Sequence, residues 1–234
     1  MFVTGFPAAA FATNCYLVAA APGEECLVVD PGIGVVDRLA AVLAEHRLRP
    51  AAVLLTHGHL DHVYSVTPVC GAHGVAASLH TDDRYRLRDP ASLLGPELRD
   101  MFLQQFKEPW KEPDDVVELT DGQRLTIANL EVEVVHAPGH TEGSVMFALP
   151  GAPEVDGGGE LAATVLSGDV LFAGSIGRTD LTGGSDADMR RSLREKVWPL
   201  DDATLVLPGH GPATTIGRER ATNPYLRDAA GVSA

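Results

Sequence analysis

From Thr56 to His62 the chain reads Thr-His-Gly-His-Leu-Asp-His, so His57, His59, Asp61 and His62 place four metal-capable side chains within six positions. Imidazole nitrogens and a carboxylate oxygen are the donors that a borderline divalent cation such as zinc prefers. The cluster follows directly on the apolar run Ala51-Ala52-Val53-Leu54-Leu55, which reads as a buried strand. Three further candidate donors stand in comparable settings. His140 and His210 each lie in a Pro-Gly-His phrase, and Asp169 closes Ser167-Gly168-Asp169 after the run Ala163-Thr164-Val165-Leu166.

His57 and His59 can face one side of the loop and bind one cation, while Asp61 and His62 turn to a second one close by. Two such cations repel, so an anion is needed between them, and Asp169 is the candidate bridge. His140 and His210 would each complete the protein shell of one cation. Open positions would then hold a bridging water, whose pKa two cations lower until hydroxide is available near neutrality. The chemistry expected is hydrolysis of an ester-like or amide-like carbonyl, a thioester being easiest because thiolate leaves well. A structural zinc site is closed by four ligands. Seven candidates leave room for water and point to an enzyme. Asp30 is a candidate to orient a ligand histidine as hydrogen-bond acceptor, or to cap the following helix. His46, His73, His80 and His136 are read as solvent-facing or as satisfied packing.

The elements that would position these residues are short apolar runs ending in polar clusters. Cys26-Leu27-Val28-Val29 ends in Asp30-Pro31-Gly32, Val132-Glu133-Val134-Val135 leads to Pro138-Gly139-His140, and Thr204-Leu205-Val206-Leu207 ends in Pro208-Gly209-His210. Such runs fit strands buried on both faces, and the C-terminal ends of such strands are where α/β folds build sites. Tyr16-Leu17-Val18 and Gly143-Ser144-Val145-Met146-Phe147 read as further strands. Val35, Val36, Leu39, Leu43 and Leu48 mark one helix, with Asp37 and Arg38 on its outer face. A second helix is expected from about Ser185, a candidate N-cap, to Val197, stopped by Trp198-Pro199. Residues 82–115 carry Leu94, Leu98, Met101, Phe102 and Phe106 at helical spacing, as a core helix or a lid. Residues 151–160 read as a surface loop. One domain over residues 1–234 is expected.

The chain has 18 basic and 32 acidic residues, a net charge of −14. That balance argues against nucleic acid and anionic membranes as partners. The first residues show neither a signal peptide nor a membrane span. Cys15, Cys26 and Cys70 include no Cys-x-x-Cys spacing and fit reduced, buried thiols of a cytoplasmic protein.

Thr56 to His62, Pro138-Gly139-His140-Thr141, Ser167-Gly168-Asp169 and Pro208-Gly209-His210-Gly211 together resemble the metallo-β-lactamase superfamily, in order and over nearly the whole chain. The resemblance implies an αβ/βα sandwich, two facing β-sheets with helices outside and metals at one edge. Thr13-Asn14-Cys15-Tyr16, Val29-Asp30-Pro31-Gly32 and Gly174-Ser175-Ile176-Gly177-Arg178-Thr179-Asp180 resemble its glyoxalase II branch, especially the short bacterial members. By that resemblance His57, His59 and His140 hold one zinc, Asp61, His62 and His210 the other, and Asp169 bridges. Iron or manganese could replace zinc. A metal-bound hydroxide would attack a small-molecule thioester such as S-lactoylglutathione, with Asp61 among the catalytic groups and Arg178 near a carboxylate of the thiol. Full-length members of that branch carry a C-terminal helical extension that binds glutathione; here 24 residues follow His210. Another small thiol is therefore also an expected leaving group. The rival expectation is a persulfide dioxygenase, which shares the scaffold and would use one iron on His57, His140 and Asp169.

Overall fold

The apolar runs form strands because each must bury two faces at once. In a computed structural model, which describes residues 1–93, 99, 110–153 and 161–232, twelve strands make two six-stranded sheets. The first sheet lies in the order β1 (Phe2–Pro7), β2 (Asn14–Ala19), β3 (Glu25–Val29), β4 (Arg49–Leu54), β5 (Ala77–His80), β6 (Val116–Leu119). It is antiparallel up to β3 and parallel from β3 to β6. The second sheet runs β12 (Thr214–Thr215), β11 (Thr204–Pro208), β10 (Ala163–Gly168), β9 (Val145–Pro150), β8 (Leu130–His136), β7 (Arg124–Ile127). Only β10 and β11 pair in parallel there.

Side chains alternate across each strand, and the alternation assigns the layers. Val18, Leu27, Val29 and Leu54 of the first sheet meet Val134, Phe147, Leu166 and Leu207 of the second in one cluster. Their neighbours Leu17, Val28, Val53 and Leu55 point the other way, onto helix α1 (Val36–His46) and helix α2 (Val66–His73) through Leu39, Val42, Leu43, Val66 and Val69. On the far side Met146, Val165 and Val206 pack under Met189, Leu193, Ile216 and Leu226. The result is the expected four layers, helix–sheet–sheet–helix. A single fully buried Leu or Phe in such a core is worth about 1.5–3 kcal/mol.

Three expectations need adjusting. Val36 opens α1 but faces solvent, while Val42 is on the buried stripe; Val35 and Leu48 flank the helix rather than belong to it. β9 begins at Val145, because Gly143 N–H donates to Asp83 Oδ1 instead of to a neighbouring strand. β8 is covered on one face only, so Val132 and Val134 are buried while Glu131 and Glu133 are not. The second helix behaves as expected. Ser185 caps Asp186–Ser192 by accepting from Asp188 N–H, and a π-helical turn continues over Leu193–Val197. The stripe from Leu94 to Phe106 and most of the loop at 151–160 lie outside the described residues. Among the described residues no helix is long and apolar enough to cross a membrane.

Candidate metal centre

Parallel strands that end together present their following loops together. β3 delivers Asp30, β4 delivers Thr56 to His62, β10 delivers Asp169 and β11 delivers His210. The two sheets are stitched at this edge by main-chain bonds. Val145 N–H donates to Thr56 O at 2.8 Å, and Asn14 N–H to Gly209 O at 2.7 Å. The Asn14 amide also reaches Pro208 O and Gly211 O at 3.0 and 2.9 Å. The chain is tight here. A Cβ on Gly209 would sit 2.2 Å from Asp169 Oδ1, and one on Gly177 would sit 1.9 Å from Asp169 O.

All seven candidate donors converge. His57, His59 and His140 form one group and Asp61, His62 and His210 a second; His57, His62 and Asp169 link them. His59 Nδ1 lies 3.1 Å from His57 Nε2 and 2.8 Å from His140 Nε2. Asp169 stands between the groups, with Oδ1 3.4 Å from His62 Nε2 and Oδ2 3.4 and 3.6 Å from His140 and His210 Nε2. His57, His62, His140 and Asp169 are buried, whereas His59, Asp61 and His210 are half-buried, so the site opens on their side.

The other ring nitrogens are already committed, which fixes the tautomers. His62 Nδ1 donates to Asp30 Oδ2 at 2.9 Å, His140 Nδ1 to the Arg178 carbonyl at 2.7 Å, and His210 Nδ1 to the Phe11 carbonyl at 3.1 Å. The Thr56 hydroxyl donates to Asp30 at 2.6 Å and so accepts from His57 Nδ1 at 3.1 Å. Four histidines therefore turn Nε2 inward. Burial, with the neighbouring histidines, holds His57 well below the ordinary histidine value, and pushes His59 down to about 2. Burial also lowers His140. Burial opposes charge on His62 as well, but Asp169, Asp61 and Asp30 outweigh it and raise it to about 10. Burial would raise Asp61; His62, His210 and the Thr13 hydroxyl at 2.8 Å reverse that and hold it below the usual carboxylate range.

Whether this donor set fits a metal is decided by what it leaves unsatisfied. His59 Nδ1 lies 3.1 Å from His57 Nε2 and 2.8 Å from His140 Nε2 and carries at most one proton, so it cannot donate fully to both and at least one inward lone pair lacks a donor of its own. Asp169 Oδ1 is buried without a hydrogen-bond partner. An orphaned buried carboxylate oxygen costs several kcal/mol, and divalent cations held by these groups would satisfy it and the ring lone pairs. The set is nitrogen- and oxygen-rich, as zinc, iron and manganese accept.

A family model described as the metallo-beta-lactamase superfamily matches residues 8–210. The chain belongs to that superfamily. An uncharacterized protein of Mycobacterium tuberculosis (strain ATCC 25618 / H37Rv) is 46% identical over 97% of this chain and 98% of its own length. Hydroxyacylglutathione hydrolase GloC of Haemophilus influenzae is 34% identical over 94% and 95%. Among solved structures, BLEG-1 B3 metallo-beta-lactamase matches with a TM-score of 0.76 and 35% identity over 96% of this chain and 99% of that one. A protein solved in a di-iron-bound form matches at 0.73 and 33%, over 95% and 99%. ETHE1 from Myxococcus xanthus, 23% identical at a TM-score of 0.74 over 99% and 85%, shares the fold. The superfamily binds divalent metals, and the paired donor groups fit a dinuclear site.

Two sequence-predicted residues sit differently from the donors. Asp30 is buried and does face a ligand histidine, and it also accepts from Thr56 N–H at 2.8 Å. The Arg178 guanidinium is exposed and bidentate to Asp180 at 2.7 Å; only its carbonyl touches the site. Sequence reasoning quoted Thr13 and Thr56 within their phrases but gave them no role, and it missed Asp83 and Arg86, whose only signal is charge shortly after the strand Ala77–His80. His80 and His136 stack at 4.0 Å beside Asp82, a third donor group. Their nitrogens already serve Asp82 N–H and the Glu142 carbonyl, the satisfied packing expected.

Proposed function

We propose that the chain is a dinuclear metal-dependent hydrolase of small S-acyl thioesters, with S-lactoylglutathione or a similar small-thiol ester as substrate. The observation that carries this is the pair of donor groups flanking the orphaned Asp169 Oδ1. The similarity to a hydroxyacylglutathione hydrolase over nearly the full length supports the acyl-thiol class. His57, His59 and His140 would hold one cation, Asp61, His62 and His210 the other, and Asp169 both. Zinc, iron or manganese bound there supplies a Lewis acid for the carbonyl oxygen and lowers the pKa of bound water.

The chain's own residues supply positioning. The Arg178, Phe11, Asp30 and Thr56 contacts lock four rings so that each presents Nε2, and no ring must reorganise during turnover. Asp61 stays a carboxylate through the working range and lies at the mouth, 3.3 Å from His210 Nε2. We assign to it the orientation of the attacking water. The reaction consumes water and a thioester and gives a carboxylic acid and a thiol. A carboxylate on the thiol could take Arg178 from Asp180. That pair is exposed and screened by solvent, so the exchange is cheap.

Release of free thiol from S-lactoylglutathione and from esters of uncharged thiols tests this reading. Turnover abolished by a chelator and restored by zinc, manganese or iron is expected. Chelator-resistant turnover, or oxygen uptake with a thiol persulfide in place of hydrolysis, would contradict it. The latter would favour one iron on His57, His140 and Asp169.

A further inference from the structure

We propose that Asp83 is a positioning residue for the first donor group, tying the loop that carries His57 and His59 to the loop that carries His140. The proposal rests on the two-metal reading above, and its test reads metal binding rather than turnover.

Asp83 sits in a 3₁₀ helix over Thr81–Arg88 that follows β5, and it is fully buried. Its carboxylate accepts four hydrogen bonds. Oδ2 takes Gly58 N–H and the Thr141 hydroxyl, both at 2.7 Å. Oδ1 takes Gly143 N–H at 2.9 Å and Arg86 Nε–H at 3.0 Å. Gly58 lies between His57 and His59, and Thr141 follows His140. The three donors of the first group come from these two loops and no others. The second group is tied elsewhere, Asp61 to Thr13, His62 to Asp30 and His210 to the Phe11 carbonyl.

Arg86 completes the clamp. Its side chain is buried, and Nη2 donates to Glu142 at 2.5 Å and to the Thr182 carbonyl at 2.9 Å. Its stem presses on the metal loop, since a Cβ on Gly58 would lie 2.6 Å from Arg86 Cβ. Asp83 presses on the other loop, since a Cβ on Gly143 would lie 2.5 Å from Asp83 N. Neither loop has slack against the pair.

A buried ion pair is weak grounds for stability, because well-packed apolar residues often do as well or better. What apolar residues cannot do is set a distance between two loops by directional bonds. The first loop follows β4 of one sheet, and the second joins β8 to β9 of the other. Apolar contacts between the sheets are non-directional, and the main-chain bond from Val145 N–H to Thr56 O holds the bases of the two loops rather than Gly58 or Thr141 beside the donors, yet donor atoms must meet a cation within about 0.2 Å. One carboxylate accepting from both loops supplies that constraint.

The test titrates metal-free full-length protein with cobalt(II) against a chromophoric chelator. It is run in His210→Ala, which leaves the first group as the intact site, and in His140→Ala, which leaves the second. Asp83→Asn is expected to weaken cobalt binding about 10–100-fold in the His210→Ala background. In the His140→Ala background the change should be several-fold smaller, since Asp61, His62 and His210 are held by Thr13, Asp30 and the Phe11 carbonyl and not by Asp83. Thr141→Val keeps the Asp83–Arg86 pair and cuts one tie. It should weaken the first site about fivefold, the effect of one net hydrogen bond, and it carries the test if Asp83→Asn does not fold. Cobalt affinities unchanged in both backgrounds with only a lower Tm would make Asp83 merely structural and overturn the proposal. Equal weakening of both sites would overturn it too. Unmutated protein that takes fewer than two cobalt ions would overturn the two-metal reading and the proposal with it.

Discussion

Replacing Asp30 by alanine tests how the second donor group is held. The carboxylate is buried and accepts from Thr56 N–H, the Thr56 hydroxyl and His62 Nδ1–H at 2.8, 2.6 and 2.9 Å. In Asp30→Ala the Thr56 hydroxyl keeps His57 Nδ1–H as its donor at 3.1 Å and can rotate its own proton. Thr56 N–H and His62 Nδ1–H lose their acceptor inside the protein. Each buried orphan costs about 1–3 kcal/mol, so roughly 2–6 kcal/mol of stability is at stake, less what is regained by no longer burying a carboxylate. Residue 30 also has φ of 50°, a left-handed conformation. Asp and Asn tolerate it better than alanine, which adds about 1 kcal/mol. Against a total of about 5–15 kcal/mol, the variant should fold but unfold at clearly lower urea. Freed of its partner, the His62 ring should cost about 10–100-fold in affinity at the second site. Urea unfolding of the metal-free protein and a chelator competition for the second equivalent measure the two effects. Asp30→Asn, which keeps one acceptor and the backbone preference, should fall between. Wild-type urea midpoint and wild-type second affinity in Asp30→Ala would refute the reasoning.

Other outcomes follow from the same geometry. Gly209→Ala drives a methyl to within 2.2 Å of Asp169 Oδ1 and 2.7 Å of His62 Cε1; metal analysis should show loss of about one equivalent with the fold intact by circular dichroism. In the metal-free chain His62 is raised to about 10, so its contribution to stability is full below the unfolded value of about 6.5 and lost as pH rises through about 10. Because a metal must displace that proton, and His210, whose charge burial opposes, is raised too by Asp61 and Asp169, affinity at the second site should climb as pH rises from 7 to 9. His57, His59 and His140 are lowered and release no proton there; calorimetry in buffers of different ionisation enthalpy counts the protons. Arg178→Ala should raise KM for thioesters of carboxylate-bearing thiols and leave esters of uncharged thiols unchanged. Its exposed, solvent-screened pair with Asp180 implies an unchanged Tm.

The seven donors were legible in the sequence because metal chemistry admits few residue types, and these stand at the ends of apolar runs. The sandwich was legible because runs such as Leu27-Val28-Val29 must face two apolar layers, and they do. What holds the donors was not. The carbonyls of Phe11 and Arg178 fix two histidine tautomers, and a main-chain oxygen carries no residue signature. Asp83 reads as one of two adjacent acids at a strand end, and only the fold shows that Asp82 is exposed while Asp83 lies under the site. Val36 matched the helical stripe yet faces outward, because the helix begins one residue later than the pattern suggests.

The most direct measurement is elemental metal content of the purified protein, followed on the same sample by thiol release from S-lactoylglutathione before and after chelation. About two equivalents of a divalent metal, with hydrolysis lost and regained in step with them, is the result this account predicts. About one equivalent of iron, no hydrolysis and oxygen consumption with a persulfide would contradict it.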